Sequence, residues 1–151
     1  MRIGAVIAEY NMLHNGHVYQ LADFRKNAAL DFVIVVMSGN FVQRGEPAIC
    51  DKRTRTLWAL QAGADMVLEL PVYYVVSNAE SFARGAIGTI AGIADVLGFG
   101  AETDNLELLN RIAILQNIIK YLIQNIPFSF LQAHYIFQLH SWLQIKNFCN
   151  L

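Results

Sequence analysis

The chain has 151 residues, 55% of them hydrophobic and 15% charged, with a net charge of -1. That length and apolar content suffice for one domain with a real core. The near-neutral balance excludes a globally basic nucleic-acid coat and leaves room only for a local basic patch. Cys50 and Cys149 are too few and too far apart to read as a disulfide framework or as zinc ligands by spacing, so reduced thiols are expected. The apolar start is interrupted by Glu9 and has no small-residue cleavage site behind a basic region, unlike a signal peptide. No run reaches the roughly 18 uncharged apolar residues that would span a bilayer. The expectation is a cytoplasmic protein with no membrane partner.

In chain order, Ile3 to Ala8 is a continuous apolar run of strand length. Phe32 to Met37, "FVIVVM", is a second, rich in β-branched residues and bounded by Asp31 and Ser38-Gly39-Asn40. Both have the pattern of strands buried on two faces, as in parallel sheets covered by helices. Between them, Gly16 to Ala29 has apolar residues at helical spacing, which makes a βαβ unit. Asp51 is placed to cap a helix that runs to Gly63. Met66 to Leu70 is a short strand stopped by Pro71. Asn78 to Ala94 is a third helix, in which Gly85, Gly88 and Gly92 suggest close packing on the sheet. Val96 to Phe99 is a fourth strand, and Leu106 to Ile123 a well-buried helix. This alternation predicts an α/β fold, a Rossmann-like doubly wound parallel sheet with right-handed crossovers.

After Lys120 the only charged residue is Lys146, while Phe128, Phe130, Tyr135, Phe137, Trp142 and Phe148 crowd among glutamines and asparagines. The chain therefore divides into a nucleotide-binding α/β domain over 1–120 and an atypical aromatic-rich tail over 121–151, helical in one reading. Such a tail suits self-association into a homo-oligomer, or lies outside the ancestral fold.

The chemistry concentrates where the first strand turns into the first helix, "AEYNMLHNGH". His14 and His17 stand at i, i+3 on one side of the helix start, and Gly16 lets a phosphate approach closely. Unpaired N–H groups and the positive end of the helix dipole favour an anion, to which two imidazoles add donors. Such a site fits the triphosphate of ATP. Two other readings stay open: one histidine caps the helix while the other is a satisfied surface residue, or the pair ligates zinc, for which a third ligand is missing. The glycine-rich and polar segments after the other strands fall at the carboxyl edge of the sheet, where open α/β sheets bind ligands. Among them, Arg44, Lys52, Arg53 and Arg55 are candidate contacts to the phosphates of a nucleotide or an RNA backbone. The alternative for Arg53 and Arg55 is plain solvation.

Taken together, "AEYNMLHNGH", "VVMSGNFVQRGEPAICDK", "AGADMVLELP", "SNAESFARGA" and "LGFGAE" resemble the tRNA(Met) cytidine acetate ligases, in the HxGH nucleotidyltransferase-like superfamily, over about the first hundred residues. The resemblance implies an ATP-dependent ligase that activates acetate as acetyl-adenylate and then acetylates N4 of the wobble cytidine in elongator tRNA(Met), with Mg2+ on the leaving pyrophosphate. It implies His14 and His17 as the catalytic pair. Its ATP-binding segment falls on Ile7, Ala8, Glu9, Tyr10, Asn11, His14, Asn15, Gly16, His17 and Gln20, with Gly100 further on, and no resident metal. The family usually has Pro-Phe in place of Met12-Leu13, Ser at Ala101 and often His at Gln20. It also runs on past residue 151, with an asparagine and an arginine on ATP and a helical region for tRNA, so the expectation is a truncated copy whose own activity is open. Two competing functions are a small-molecule nucleotidyltransferase and a non-catalytic nucleotide-binding or self-associating module.

Overall fold

The computed structural model describes residues 1–100 and 105–124. Strands β1 (Ile3–Ala8), β2 (Phe32–Ser38), β3 (Met66–Leu70) and β4 (Val96–Gly98) form one sheet in the order β3-β2-β1-β4, and every neighbouring pair is parallel. Helices α1 (Asn15–Asn27), α2 (Lys52–Gln61), α3 (Val72–Val75) and α4 (Ala79–Ile90) connect them, with a single 3-10 turn at Gln43–Gly45. The expected doubly wound α/β sheet is what the chain forms.

The unbroken apolar run of β2 follows from burial on both faces, because successive side chains point to opposite sides. Val33, Val35 and Met37 join Val6 and Leu21 of α1 and Ala59 of α2 in one core cluster. Ile34 and Val36 join Ala5, Val75 of α3 and Phe82, Ala86 and Ile90 of α4 in the other. Helices α1 and α2 thus cover one face, α3 and α4 the opposite one. Burying each fully enclosed Val or Leu stabilises the fold by roughly 1.5–3 kcal/mol.

The entrances of β2, β3 and β4 repeat one device. Asp65, just before β3, accepts the Val33 N–H at 2.7 Å and returns its own N–H to the Val33 carbonyl at 2.9 Å. Asp95 does the same with Ile3 (2.8 Å both ways), and Asp31 with Arg2 (2.6 and 2.9 Å). Asp65 also pairs with Arg25, which donates to the Gly63 carbonyl at 2.9 Å as well.

Helix α4 ends at Ile90, short of the expected Ala94, because Gly92 takes a left-handed φ of 79° in the turn that follows. Of the three glycines expected to pack closely, only Gly85 does: a Cβ there would run into the Tyr74 ring, whereas Gly88 and Gly92 have nothing within 4 Å. A short helix, α3, follows straight after Pro71, a residue well placed before a first helical turn.

Met1–Phe99 is one compact unit and a second begins at Gly100, upstream of the change in composition after Lys120. In the second unit, α5 (Leu106–Gln124) is helical where helix was expected. Its Leu108, Ile112, Ile114 and Leu115 are exposed, contrary to the expectation of a well-buried helix. The aromatic tail from Asn125 onward lies outside the described residues. None of the described helices is long and apolar enough to cross a membrane.

Candidate nucleotide site

The chain leaves β1 through Glu9 and reaches Tyr10, which holds a left-handed φ of 47°. A non-glycine residue there carries strain of about 1 kcal/mol or more, a common mark of functional turns. The turn ends at His14, the N-cap of α1, in extended conformation. His14 Nδ1 accepts the Gly16 N–H at 3.1 Å, and the His14 N–H is donated to His17 Nδ1 at 3.3 Å. This is a reciprocal capping box made by imidazoles in place of the usual hydroxyl and carboxylate. The two rings stack with centroids 3.8 Å apart. A Cβ on Gly16 would lie 2.9 Å from His14 Cε1, so only glycine lets the ring fold back over the turn.

The box fixes the tautomers. Both Nδ1 atoms accept hydrogen bonds, so each neutral ring carries its proton on Nε2, and neither Nε2 has a protein partner among the described residues. His17 is held neutral: burial and the neighbouring His14 push its pKa below the ordinary imidazole value. The turn thus presents two N–H donors beside a helix N-terminus, an arrangement that binds anions. The capping alternative and the anion-site alternative are therefore compatible, since one ring edge caps and the other stays available.

The loop after β2 is laced to this turn. Glu9 Oε1 accepts the Gln43 N–H at 2.5 Å and Asn11 Oδ1 the Ile49 N–H at 2.7 Å. The loop closes on itself through a Phe41–Pro47 bridge, with Val42 N–H on the Glu46 carbonyl at 2.8 Å and Ala48 N–H on the Asn40 carbonyl at 3.0 Å. Burial raises the Glu9 pKa, opposed by the Gln43 N–H and the charge of Arg55.

The other candidates separate. Gln20, one turn along α1, lines a cavity of about 360 Å3 with Val6, Phe24, Asn27, Gly98 and Phe99. Asn15 is exposed, and Ile7 and Ala8 are half-buried in the end of β1. The Tyr10 side chain is 2% exposed in the core cluster beneath α1, where its ring meets His17 edge-on at 5.0 Å. Gly100 belongs to the second compact unit.

The basic cluster also divides. Arg44 is exposed at a left-handed φ of 70°, and Arg53 is exposed on the first turn of α2, whose N-cap is Asp51. Hydrogen bonds from the Thr54 hydroxyl and backbone hold the Asp51 carboxyl below the ordinary range. Lys52 is already engaged with Glu69 at 2.7 and 2.9 Å, and the pair lines a second cavity of about 410 Å3 with Ser38, Arg53 and Thr56. Arg55 is not the solvated residue of the alternative reading: it is 0% exposed, and its guanidinium donates to the carbonyls of Glu9, Gly39 and Cys50 and to the Ser38 hydroxyl. The Ser38 hydroxyl and the Glu9 tie were not foreseen, although the polar residues directly after apolar strands were the available signal. Among the described residues no group of three or more His, Cys, Asp or Glu is placed to hold a metal ion.

The family model described as HIGH Nucleotidyl Transferase matches residues 1–140. A tRNA(Met) cytidine acetate ligase of Thermoanaerobacter sp. (strain X514) is 51% identical over 115 residues, which are 75% of this chain and 29% of that protein. The protein of the same name from Latilactobacillus sakei subsp. sakei (strain 23K) is 45% identical over 145 residues, 95% of this chain and 36% of the relative. Among solved structures, Thermotoga maritima TmcAL bound with alpha-thio ATP is similar with a TM-score of 0.72 and 44% identity, over 77% of this chain and 28% of that one. The apo form is similar with a TM-score of 0.73 and 35% identity, over 95% and 37%. The chain thus spans between 28% and 37% of the length of these relatives. A family match across residues 1–140, on a sheet that superimposes on these structures, gives one assignment: the chain belongs to the HIGH nucleotidyl transferase family.

Proposed function

We propose that this chain carries the ATP-binding and acetate-activating part of a tRNA(Met) cytidine acetate ligase. The observation that supports it most is the imidazole capping box, which leaves two Nε2–H donors unengaged at the N-terminus of α1. His14, His17 and the backbone of Asn15 and Gly16 hold the phosphates, Ile7, Ala8, Glu9, Tyr10 and Asn11 shape the turn, and Gln20 borders the remainder of the nucleotide. An acetate oxygen attacks the α-phosphorus, pyrophosphate leaves, and the acetyl-adenylate passes its acyl group to N4 of the wobble cytidine with loss of a proton and AMP. His14 and His17 contribute by charge stabilisation and positioning, which supply most of the effect in such transfers.

Arg44 and Arg53 meet phosphates of tRNA(Met), being exposed and without an ion-pair partner among the described residues. The described residues offer no protein-built magnesium site, so Mg2+ would arrive with the nucleotide. The cytoplasm is the compartment that suits a tRNA substrate, and the tail over 121–151 is proposed as a surface for self-association.

The test is calorimetric titration of the folded chain with ATP, followed by acetate-dependent pyrophosphate release. Binding that His17→Ala weakens at least about tenfold supports the reading. A folded chain that ignores ATP overturns it, and pyrophosphate release that needs no acetate overturns the choice of acid.

A further inference from the structure

Arg55 is the largest fully buried side chain among the described residues. Its Nε donates to the Cys50 carbonyl at 3.1 Å, Nη1 to the Glu9 carbonyl at 2.6 Å and the Ser38 hydroxyl at 3.3 Å, and Nη2 to the Gly39 carbonyl. All four acceptors are uncharged, and no carboxylate oxygen among the described residues lies within ion-pair distance. Taking a guanidinium out of water is costly, and an apolar residue of similar volume commonly serves a core as well or better. What a leucine there cannot do is join the exit of β1 (Glu9), the exit of β2 (Ser38 and Gly39) and the entry to α2 (Cys50). A rigid planar fork can, because its donors point in fixed directions. The Glu9 carbonyl belongs to the peptide that leads into Tyr10, the left-handed residue from which the histidine turn departs. Above this root lie the Glu9–Gln43 and Asn11–Ile49 bonds, so the two loops share one foundation.

We propose that Arg55 is a positioning residue of the nucleotide site: through the Glu9 and Gly39 carbonyls it fixes how the histidine turn stands relative to the 39–50 loop. The proposal rests on the nucleotide reading of His14 and His17 for its effect on affinity, and on geometry alone for its effect on the loops.

The experiment compares the whole 151-residue chain with Arg55→Lys, His17→Ala and the double variant, by calorimetric titration with ATP and by amide hydrogen exchange. Arg55→Lys keeps a positive charge and loses the fork. We expect it to fold and to weaken ATP about tenfold, and the double variant to bind within about threefold of His17→Ala alone, because both changes act through one turn. Losses that simply multiply would overturn the proposal. In exchange, Arg55→Lys is expected to speed the Gln43, Ile49 and Gly16 amides while leaving Val35 and Val36 in β2 unchanged. Acceleration spread evenly over the sheet, or none in the loops, would also overturn it. Should the wild-type chain not bind ATP, the nucleotide reading fails while the exchange result still decides the positioning role. Should Arg55→Lys fail to fold, Ser38→Ala removes one acceptor and is judged by the same cycle and the same amides.

Discussion

His14 and His17 each accept a backbone N–H of the turn they share, with their rings stacked 3.8 Å apart, so the same pair that caps α1 also offers its outer edges to a ligand. Protonation bears on both tasks, because a proton on Nδ1 removes an acceptor on which the cap depends.

The first consequence concerns pH. His17 has a folded pKa below its ordinary value, through burial and the neighbouring His14, so the unfolded chain binds the proton more readily. Stability is therefore full above the unfolded value near 6.5 and declines as pH falls from there toward the lowered folded value. Thermal unfolding followed between pH 7.5 and 5 should show a Tm that drops on the acid side, and His17→Ala should shrink that drop. An acid-side drop of the same size in the variant would refute the assignment to His17.

Gly16→Ala separates capping from helix propensity. Alanine favours a helix over glycine by about 1 kcal/mol, yet a Cβ at residue 16 would press on the His14 ring at 2.9–3.0 Å. We expect near-native thermal stability together with a loss of ATP affinity of about tenfold or more, since the displaced ring no longer presents its donor. Unchanged affinity would mean that the folded-back ring is irrelevant to binding.

Tyr10→Phe tests the one buried side-chain polar atom left without a hydrogen bond among the described residues, the Tyr10 hydroxyl. Burial raises the pKa of this phenol, which keeps it neutral. An unsatisfied buried hydroxyl costs about 1–3 kcal/mol, so the phenylalanine variant should match or exceed the parent in denaturant midpoint. A clear loss of stability would show that the hydroxyl has a partner.

At the opposite edge of the sheet, Asp65→Ala should lower stability by about 1.5–3 kcal/mol, the range for hydrogen bonds to charged groups, because it strips both the Val33 N–H and Arg25 of an acceptor. Asp31→Ala, at a more exposed carboxylate, should cost less. Urea midpoints in the reverse order would contradict this ranking.

Strands β1 and β2 were legible because burial on both faces leaves little room for polar residues, and "FVIVVM" has no other ready explanation in so short a run. The histidine turn was legible because capping, dipole and glycine chemistry are all local. Arg55 was not: "KRTR" looks like a solvated helix start, and its burial depends on carbonyls 46 and 16 residues away. The end of α4 was misjudged for a similar reason, since apolar periodicity continues through Ile93 and Ala94 although Gly92 has already turned the chain. The burial of the Tyr10 ring was equally hidden, because the left-handed backbone that accompanies it leaves no mark in a non-glycine residue.

The reciprocal aspartate bonds at the strand entrances act as a datum for the whole sheet. A slide of one residue along β1 or β2 would unhook a carboxylate and turn every side chain to the wrong face. Distances at the rim that carries the histidine turn are thus measured out from pegs on the far side, strand length by strand length. Insertions into the connections that precede Asp31, Asp65 and Asp95 should leave that rim intact, while one extra residue inside β1 would rotate Glu9 away from the loop it anchors.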